Sequence, residues 1–257
     1  MAQTVVITGA SSGIGAALAL RYAHGGARLG LLGRNRQRLD AVAEKCRSLG
    51  AEAHTAAIDV GDRVALAEWL EDFDRTTPVD IVIANAGVLA GLAEGEPIES
   101  AEMSHLVFET NMMGVLNTLH PLLPRMLARK RGTVAVASSV GAFVPFPQMP
   151  SYSASKAAVL TYGLALRAAL RPHGIGVSVI CAGYIDTPMT EQVVGPKPLL
   201  MSAERAAAVI DRGLKRNRAV IAFPRSFAFV MWLDGILPDW ARRLTAPLIG
   251  FSISPRR

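Results

Sequence analysis

An α/β domain with a doubly wound parallel sheet is what the 257-residue sequence predicts. Three observations predict it. Apolar runs of strand length alternate with longer segments of helical period. Several runs are apolar throughout rather than at every second residue, as strands covered on both faces are. A glycine-rich turn, Thr8-Gly9-Ala10-Ser11-Ser12-Gly13-Ile14-Gly15, joins the first run to the first helical segment. This repeating order implies right-handed crossovers and one sheet of about seven strands with helices on both faces.

Strands are expected at Thr4–Thr8, Arg28–Leu32, Ala53–Ile58, Asp80–Ala84, Thr133–Ala137, Gly176–Cys181 and Ala219–Ala222. Helices are expected at Ile14–His24, Arg36–Leu49, Arg63–Thr76, Ala101–Arg129, Ser151–Pro172 and Ala203–Lys215. Asn35 is placed to cap the second helix, and Gly50 follows its last turn. Pro121 and Pro124 lack a backbone N–H and should kink the long fourth helix. Residues 183–201 hold three Pro, few charges and no period, so they read as a mobile substrate loop rather than a domain boundary. No other break interrupts the chain, and residues 1–257 are expected to form a single domain.

Composition narrows the function. With 51% hydrophobic residues the chain is not disordered. Two cysteines, Cys46 and Cys181, cannot build a disulfide framework or a thiolate zinc site. They read as buried thiols in a reducing compartment, and no metal is expected. Met1-Ala2-Gln3-Thr4 runs directly into an apolar strand without a basic leader, so a cytoplasmic location is expected. Ser, Pro and Gly interrupt the uncharged stretch 132–155, which argues against a spanning helix. The net charge of +6 lies in the last fifth, where ten Lys and Arg from Arg205 onward face three Asp. These basic residues form no dense run interleaved with aromatics, so nucleic acid is not an expected partner.

The glycine-rich turn needs residues without a Cβ, because a backbone reversing there must let a pyrophosphate approach closely. Gly9, Ser11, Ser12, Gly13, Ile14 and Gly15 are the candidate cofactor residues, with the first helix offering free N–H groups to phosphate. At the end of the second strand a carboxylate would bind the adenine ribose of NAD. Gly33 stands there instead, followed by Arg34, with Arg36 and Arg38 nearby. A guanidinium suits a 2′-phosphate, so NADP(H) is favoured over NAD(H). Asp59 and Val60, after the third strand, are placed either to contact adenine or to form a turn or helix cap.

Tyr152 and Lys156 are spaced i, i+4 at the start of a predicted helix, which stacks them on one face. An ammonium beside a phenol favours phenolate, bringing the tyrosine toward proton exchange at working pH. Ser139 ends the preceding strand at the carboxyl edge of the sheet, where a hydroxyl can bond a carbonyl oxygen as charge develops.

With these residues in order, the chain resembles the short-chain dehydrogenase/reductase family in its single-domain form, over roughly residues 3–222. The match runs through Thr8–Gly15, Asn85-Ala86-Gly87, Asn111, Ser139, Tyr152, Lys156 and Gly183–Thr187. The resemblance implies a Rossmann-like domain and an oxidoreductase. It makes Tyr152 the proton donor or acceptor, has Ser139 orient the carbonyl, and has Lys156 hold the nicotinamide ribose. Asn111 would hold a water linking Lys156 to solvent. Asn85, Ala86 and Gly87 would line the cofactor site, with Gly183, Ile185 and Thr187 beside the nicotinamide. Ala84 and Ala182 stand where the family often has Asn and Pro, which bears on loop geometry more than on chemistry. A homodimer or homotetramer built on the fourth and fifth helices is also implied.

Phe143, Phe146 and Met149, with Tyr184 and Met189, are expected to line an apolar substrate pocket or to fill core beneath it. A steroid-like, terpenoid, aromatic or long-chain carbonyl or alcohol fits such a pocket. Residues 223–257 hold six of the chain's fifteen aromatics beside Arg225, Arg242 and Arg243. This tail reads first as a lid over the substrate loop, next as an oligomer contact, and last as a peripheral membrane contact. The alternatives to a carbonyl reductase are a non-catalytic nucleotide-binding regulator on the same fold, or an epimerase or dehydratase using the same residues.

Overall fold

The computed structural model describes residues 2–92, 96–238, 240–241 and 252–253. The first half of the chain alternates β1 (Thr4–Thr8), α1 (Gly13–Ala23), β2 (Arg28–Leu32), α2 (Arg36–Ser48), β3 (Glu52–Ala56), α3 (Arg63–Thr76) and β4 (Ile81–Ala84). Helices α4 (Ala101–Phe108), α5 (Gly114–Leu119) and α6 (Leu123–Arg129) lead to β5 (Gly132–Ser139), α7 (Pro150–Leu170) and β6 (Ile175–Ala182). Short strands β7 (Ile185–Asp186), β8 (Val193–Val194) and β9 (Met201–Ser202) precede α8 (Ala203–Lys215), β10 (Val220–Phe223) and α9 (Arg225–Gly235). Ser252–Ile253 forms β11.

Seven strands pair in the order β3-β2-β1-β4-β5-β6-β10, and every pairing is parallel. The chain starts in the middle of the sheet, winds out to β3, and returns through α3 to set β4 against β1. That reversal opens a crevice at the carboxyl ends of β1 and β4. Alternate strand residues serve opposite faces: Val5, Ile7, Leu29 and Leu31 pack with Leu18, Leu39 and Ile210. On the other face Val6, Leu32, Val82 and Val136 pack with Leu66, Leu119 and Val159. Both faces are therefore dry, as the unbroken apolar strands require.

Three expectations are corrected. The fourth helix is not one kinked rod over 101–129: it passes through a π turn at Glu109–Met113 and breaks again between Leu119 and Leu123. The π turn carries Asn111 inward, and Gly114 beside it sits so close to Val60 that a Cβ would lie 2.5 Å from Cγ2. Pro121 falls in the second break and Pro124 in the first turn of α6, where missing N–H groups are harmless. The third strand ends at Ala56, so Asp59 and Val60 lie in a loop. The segment 183–201 is not structureless: β7 pairs with β9, and β8 pairs antiparallel with β11. Among the described residues no helix is long and apolar enough to cross a membrane.

Helix α7 lies very close to the sheet at Gly163, where a Cβ would meet Val179 Cγ2 at 2.5 Å and Val136 Cγ2 at 2.9 Å. Gly163→Ala should lower stability by about 1–3 kcal/mol through overpacking. The expected reading is a lower urea midpoint with an unchanged slope.

Candidate active site

The crevice at the strand ends is a cleft of about 340 Å³. Gly9, Ser11, Ser12, Gly13 and Ile14 form one wall. Gly9 has φ +67° and lies against the turn after β4, where a Cβ would stand 2.9 Å from Ala86 Cα. The two strand ends are stapled together. Thr8 Oγ1 accepts the N–H groups of Asn85 (3.1 Å) and Ala86 (3.2 Å), while Asn85 Nδ2 donates to the Thr8 carbonyl at 3.1 Å. Gly15 does not line the cleft; it lets α1 approach the turn, since a Cβ would stand 2.3 Å from the Gly9 carbonyl oxygen.

The first turn of α1 is unlike those of its neighbours. Asn35, Asp62 and Ser202 cap α2, α3 and α8 with side-chain oxygens. Ser12 gives α1 no such bond. Its N–H groups are left for an anion in the cleft. Arg34, Asn35 and Arg38 line the far end. Gly33 packs on Ser11, whose Oγ would stand 3.2 Å from an added Cβ. Asp59 accepts the Gly61 N–H at 2.9 Å and lies 3.5 Å from Arg34 Nη1. It makes a turn and lines the cleft at once, as does Val60 beside it. Asn85, Ala86, Gly87, Gly183, Ile185 and Thr187 complete this lining, with Thr187 Cγ2 pressed over Gly13. These features fit a dinucleotide: a glycine cradle, an uncapped helix end and guanidinium groups at the ribose end.

Ser139, Tyr152 and Lys156 meet at the middle of the cleft. Lys156 Nζ donates to the Ala137 carbonyl at 3.0 Å, and Ser138 Oγ donates to the Lys156 carbonyl at 2.7 Å, so β5 holds α7 at the reacting turn. Lys156 Nζ stands 5.7 Å from the Tyr152 ring centroid. Contrary to the expectation from spacing, the phenol is not driven toward phenolate. Burial pushes its pKa up, and the nearby Ser139 hydroxyl opposes that only in part. Burial also lowers Lys156 from 10.5 to about 8.

Asn111 is fully buried and does not line the cleft. Its Oδ1 accepts the Val88 N–H at 2.8 Å, and its Nδ2 donates to the Val88 carbonyl and to Ser155 Oγ. Phe146, Met149, Tyr184 and Met189 line the other end of the cleft. Phe146 and Met149 are also buried core residues, so they line the cleft and fill the core beneath it at once. Phe143 does not reach the cleft: it packs beneath it and faces a second cavity, its carbonyl pressed against Gly235 of α9. In the tail, Phe227 lines the cleft and packs on Tyr184, with ring centroids 5.7 Å apart. Arg242, Arg243 and Phe251 lie outside the described residues. Among the described residues no group of His, Cys, Asp or Glu could hold a metal ion.

One contributor escapes sequence reasoning. Glu99 accepts the Ser151 N–H at 3.0 Å and a short bond from Ser151 Oγ, anchoring the N-terminus of α7 one residue before Tyr152. No local pattern links residues so far apart in the chain.

The lowered Lys156 pKa has a stability consequence. Between pH 8 and 10.5 the unfolded chain holds more protons at this amine, so stability rises with pH there; below pH 8 the burial penalty is complete. Lys156→Met should therefore raise stability at pH 7 by on the order of 2 kcal/mol. Urea unfolding at several pH values should show that advantage shrinking through this window.

The short chain dehydrogenase family model matches residues 3–197. A 1-deoxy-11-beta-hydroxypentalenate dehydrogenase of Streptomyces avermitilis is 34% identical over 227 residues, covering 85% of this chain and 83% of the relative. An 11-beta-hydroxysteroid dehydrogenase-like protein 4A of Arabidopsis thaliana is 32% identical over 251 residues, covering 92% and 81%. Among solved structures, a short-chain dehydrogenase from Sphingobium yanoikuyae in complex with NADPH superposes with a TM-score of 0.79 at 28% identity, covering 95% of each chain. With its sheet order, glycine turn and Ser-Tyr-Lys cluster, the chain belongs to the short-chain dehydrogenase family of nicotinamide-dependent oxidoreductases.

Proposed function

We propose that the protein is an NADP(H)-dependent oxidoreductase that interconverts a carbonyl and a secondary alcohol on an apolar substrate of steroid-like, terpenoid, aromatic or long-chain type. The observation that carries this reading is one cleft with guanidinium groups at one end, Ser139, Tyr152 and Lys156 at its centre, and Phe146, Met149, Tyr184 and Phe227 at the other end. The bound NADPH of the Sphingobium relative and the names of the pentalenate and steroid relatives lend it weight.

NADP(H), when bound, supplies or accepts the hydride. The rest falls to the chain. Ser139 Oγ donates to the substrate oxygen and so polarises the carbonyl. The Tyr152 hydroxyl gives that oxygen a proton in reduction and takes one back in oxidation. Burial keeps the phenol protonated at neutral pH, the state the reductive direction needs. Lys156 would hold the nicotinamide ribose and pass protons inward from solvent. The Asn111 side chain is committed to Val88 and Ser155, which leaves the backbone of its π turn to hold a relay water. Gly183, Ile185 and Thr187 would flank the nicotinamide, and Arg34 with Arg38 would receive the 2′-phosphate. Met103, Leu106, Phe108 and Met113, exposed along α4 and the π turn, offer an apolar face for a homodimer or homotetramer.

Tyr152→Phe should lower kcat by about 10²–10⁴-fold while NADPH affinity, measured by fluorescence titration, stays at the wild-type value. Full turnover in that variant would remove Tyr152 from the chemistry. Arg34→Ala should raise the Kd for NADPH by about 10–100-fold and leave NADH unaffected. Equal weakening of both would overturn the cofactor preference.

A further inference from the structure

Between Ser226 and Asp234, helix α9 is apolar throughout. On its inner side Ala228 and Met231 pack with Phe146, Met149 and Tyr152. On its outer side Phe229, Trp232, Leu233 and Ile236 are each at least 44% exposed, and Trp240 beyond it is 71% exposed. A helix apolar on both sides belongs between two apolar media, and contiguous exposed patches of this kind mark contact sites. The core supplies the first medium.

The charges beside this patch identify the second. Arg212, Arg216, Arg218 and Arg225 line a cavity of about 650 Å³ together with Phe229 and Trp232. None of these four guanidinium groups has a side-chain partner among the described residues. Elsewhere among the described residues some exposed arginines pair with carboxylates, as Arg28 with Glu52, Arg75 with Asp72 and Arg131 with Asp80, and others such as Arg36, Arg63 and Arg171 stand singly; here four are gathered around one cavity. Four unpaired cations around an aromatic patch call for an anionic surface with an apolar interior.

We propose that this face docks the protein on an anionic lipid bilayer. Phe229, Trp232, Leu233 and Ile236 enter the headgroup region while the arginines meet lipid phosphates and carboxylates. A second copy is a poorer occupant. A two-fold contact would turn the same four arginines toward one another, and among the described residues no carboxylate lines their cavity to receive them. A nucleic acid would satisfy the arginines but leave Leu233 and Ile236 in water. The docked face also adjoins the substrate end of the cleft, because Phe227 of the same helix lines it.

The test is flotation of the full chain with vesicles of phosphatidylcholine, alone or mixed with phosphatidylserine, alongside analytical ultracentrifugation. The protein should float with the mixed vesicles only, and raised salt should release it. Each basic residue near such a surface is worth about fivefold in partitioning, so Arg216→Glu with Arg218→Glu should lower binding by more than about twentyfold. Trp232→Ser with Leu233→Ser should also lower it, and both double variants should keep the wild-type melting midpoint. If the serine variant unfolds, the arginine pair and the salt titration still decide. Failure of the wild type to float with anionic vesicles would overturn the proposal, as would equal flotation of the arginine variant. A dimer that dissociates on Trp232→Ser would assign the face to a second copy and overturn it too.

Discussion

The seat of α7 on the sheet is the constraint from which the rest of the site follows. Gly163 lets the helix backbone settle between Val136 and Val179. At its N-terminal end, the Ser138 and Lys156 hydrogen bonds to main-chain carbonyls fix its rotation. Glu99 holds the first turn from the outside, and Asn111 ties Ser155 to Val88 from the inside. Four separate parts of the chain thus agree on where one phenol and one amine stand relative to Ser139. Such agreement is what holds a buried Lys in place despite its desolvation.

The two ends of the cleft use opposite physics. At the glycine turn the protein withholds side chains and leaves main-chain donors free, because phosphate is recognised by backbone and helix dipole. At the other end it crowds in aromatic and sulfur-bearing side chains and offers few charges. The reacting groups sit where these regimes meet. Burial there shifts both titrating residues toward their neutral forms, Tyr152 upward and Lys156 downward.

Most of the scaffold was legible because its signals are local. Continuous apolar strands reported a sheet covered on both faces. The glycine turn reported a close approach, and Tyr152 and Lys156 reported a shared helix face. What the sequence hid depends on partners far along the chain. The π turn carries Asn111 to Val88 and Ser155, partners that no periodicity of residues 101–129 encodes. The Glu99 anchor reaches across 52 residues to Ser151. Phe143 and Phe146 are similar in type and close in sequence and both pack against α9, yet only Phe146 lines the cleft. The phenol's raised pKa is hidden for a related reason: spacing reveals a neighbouring charge but not the depth of burial.

The packing of Gly33 on Ser11 bears on coenzyme selection. Many dinucleotide folds select their coenzyme with one acidic residue at the end of the second strand. Here the first carbon of such a side chain would already press on Ser11 Oγ and Cβ, at 3.2 and 3.3 Å. An acid could enter only as the Ser11 side chain gave way by a few tenths of an ångström, so the end of the second strand and the glycine turn are sterically coupled.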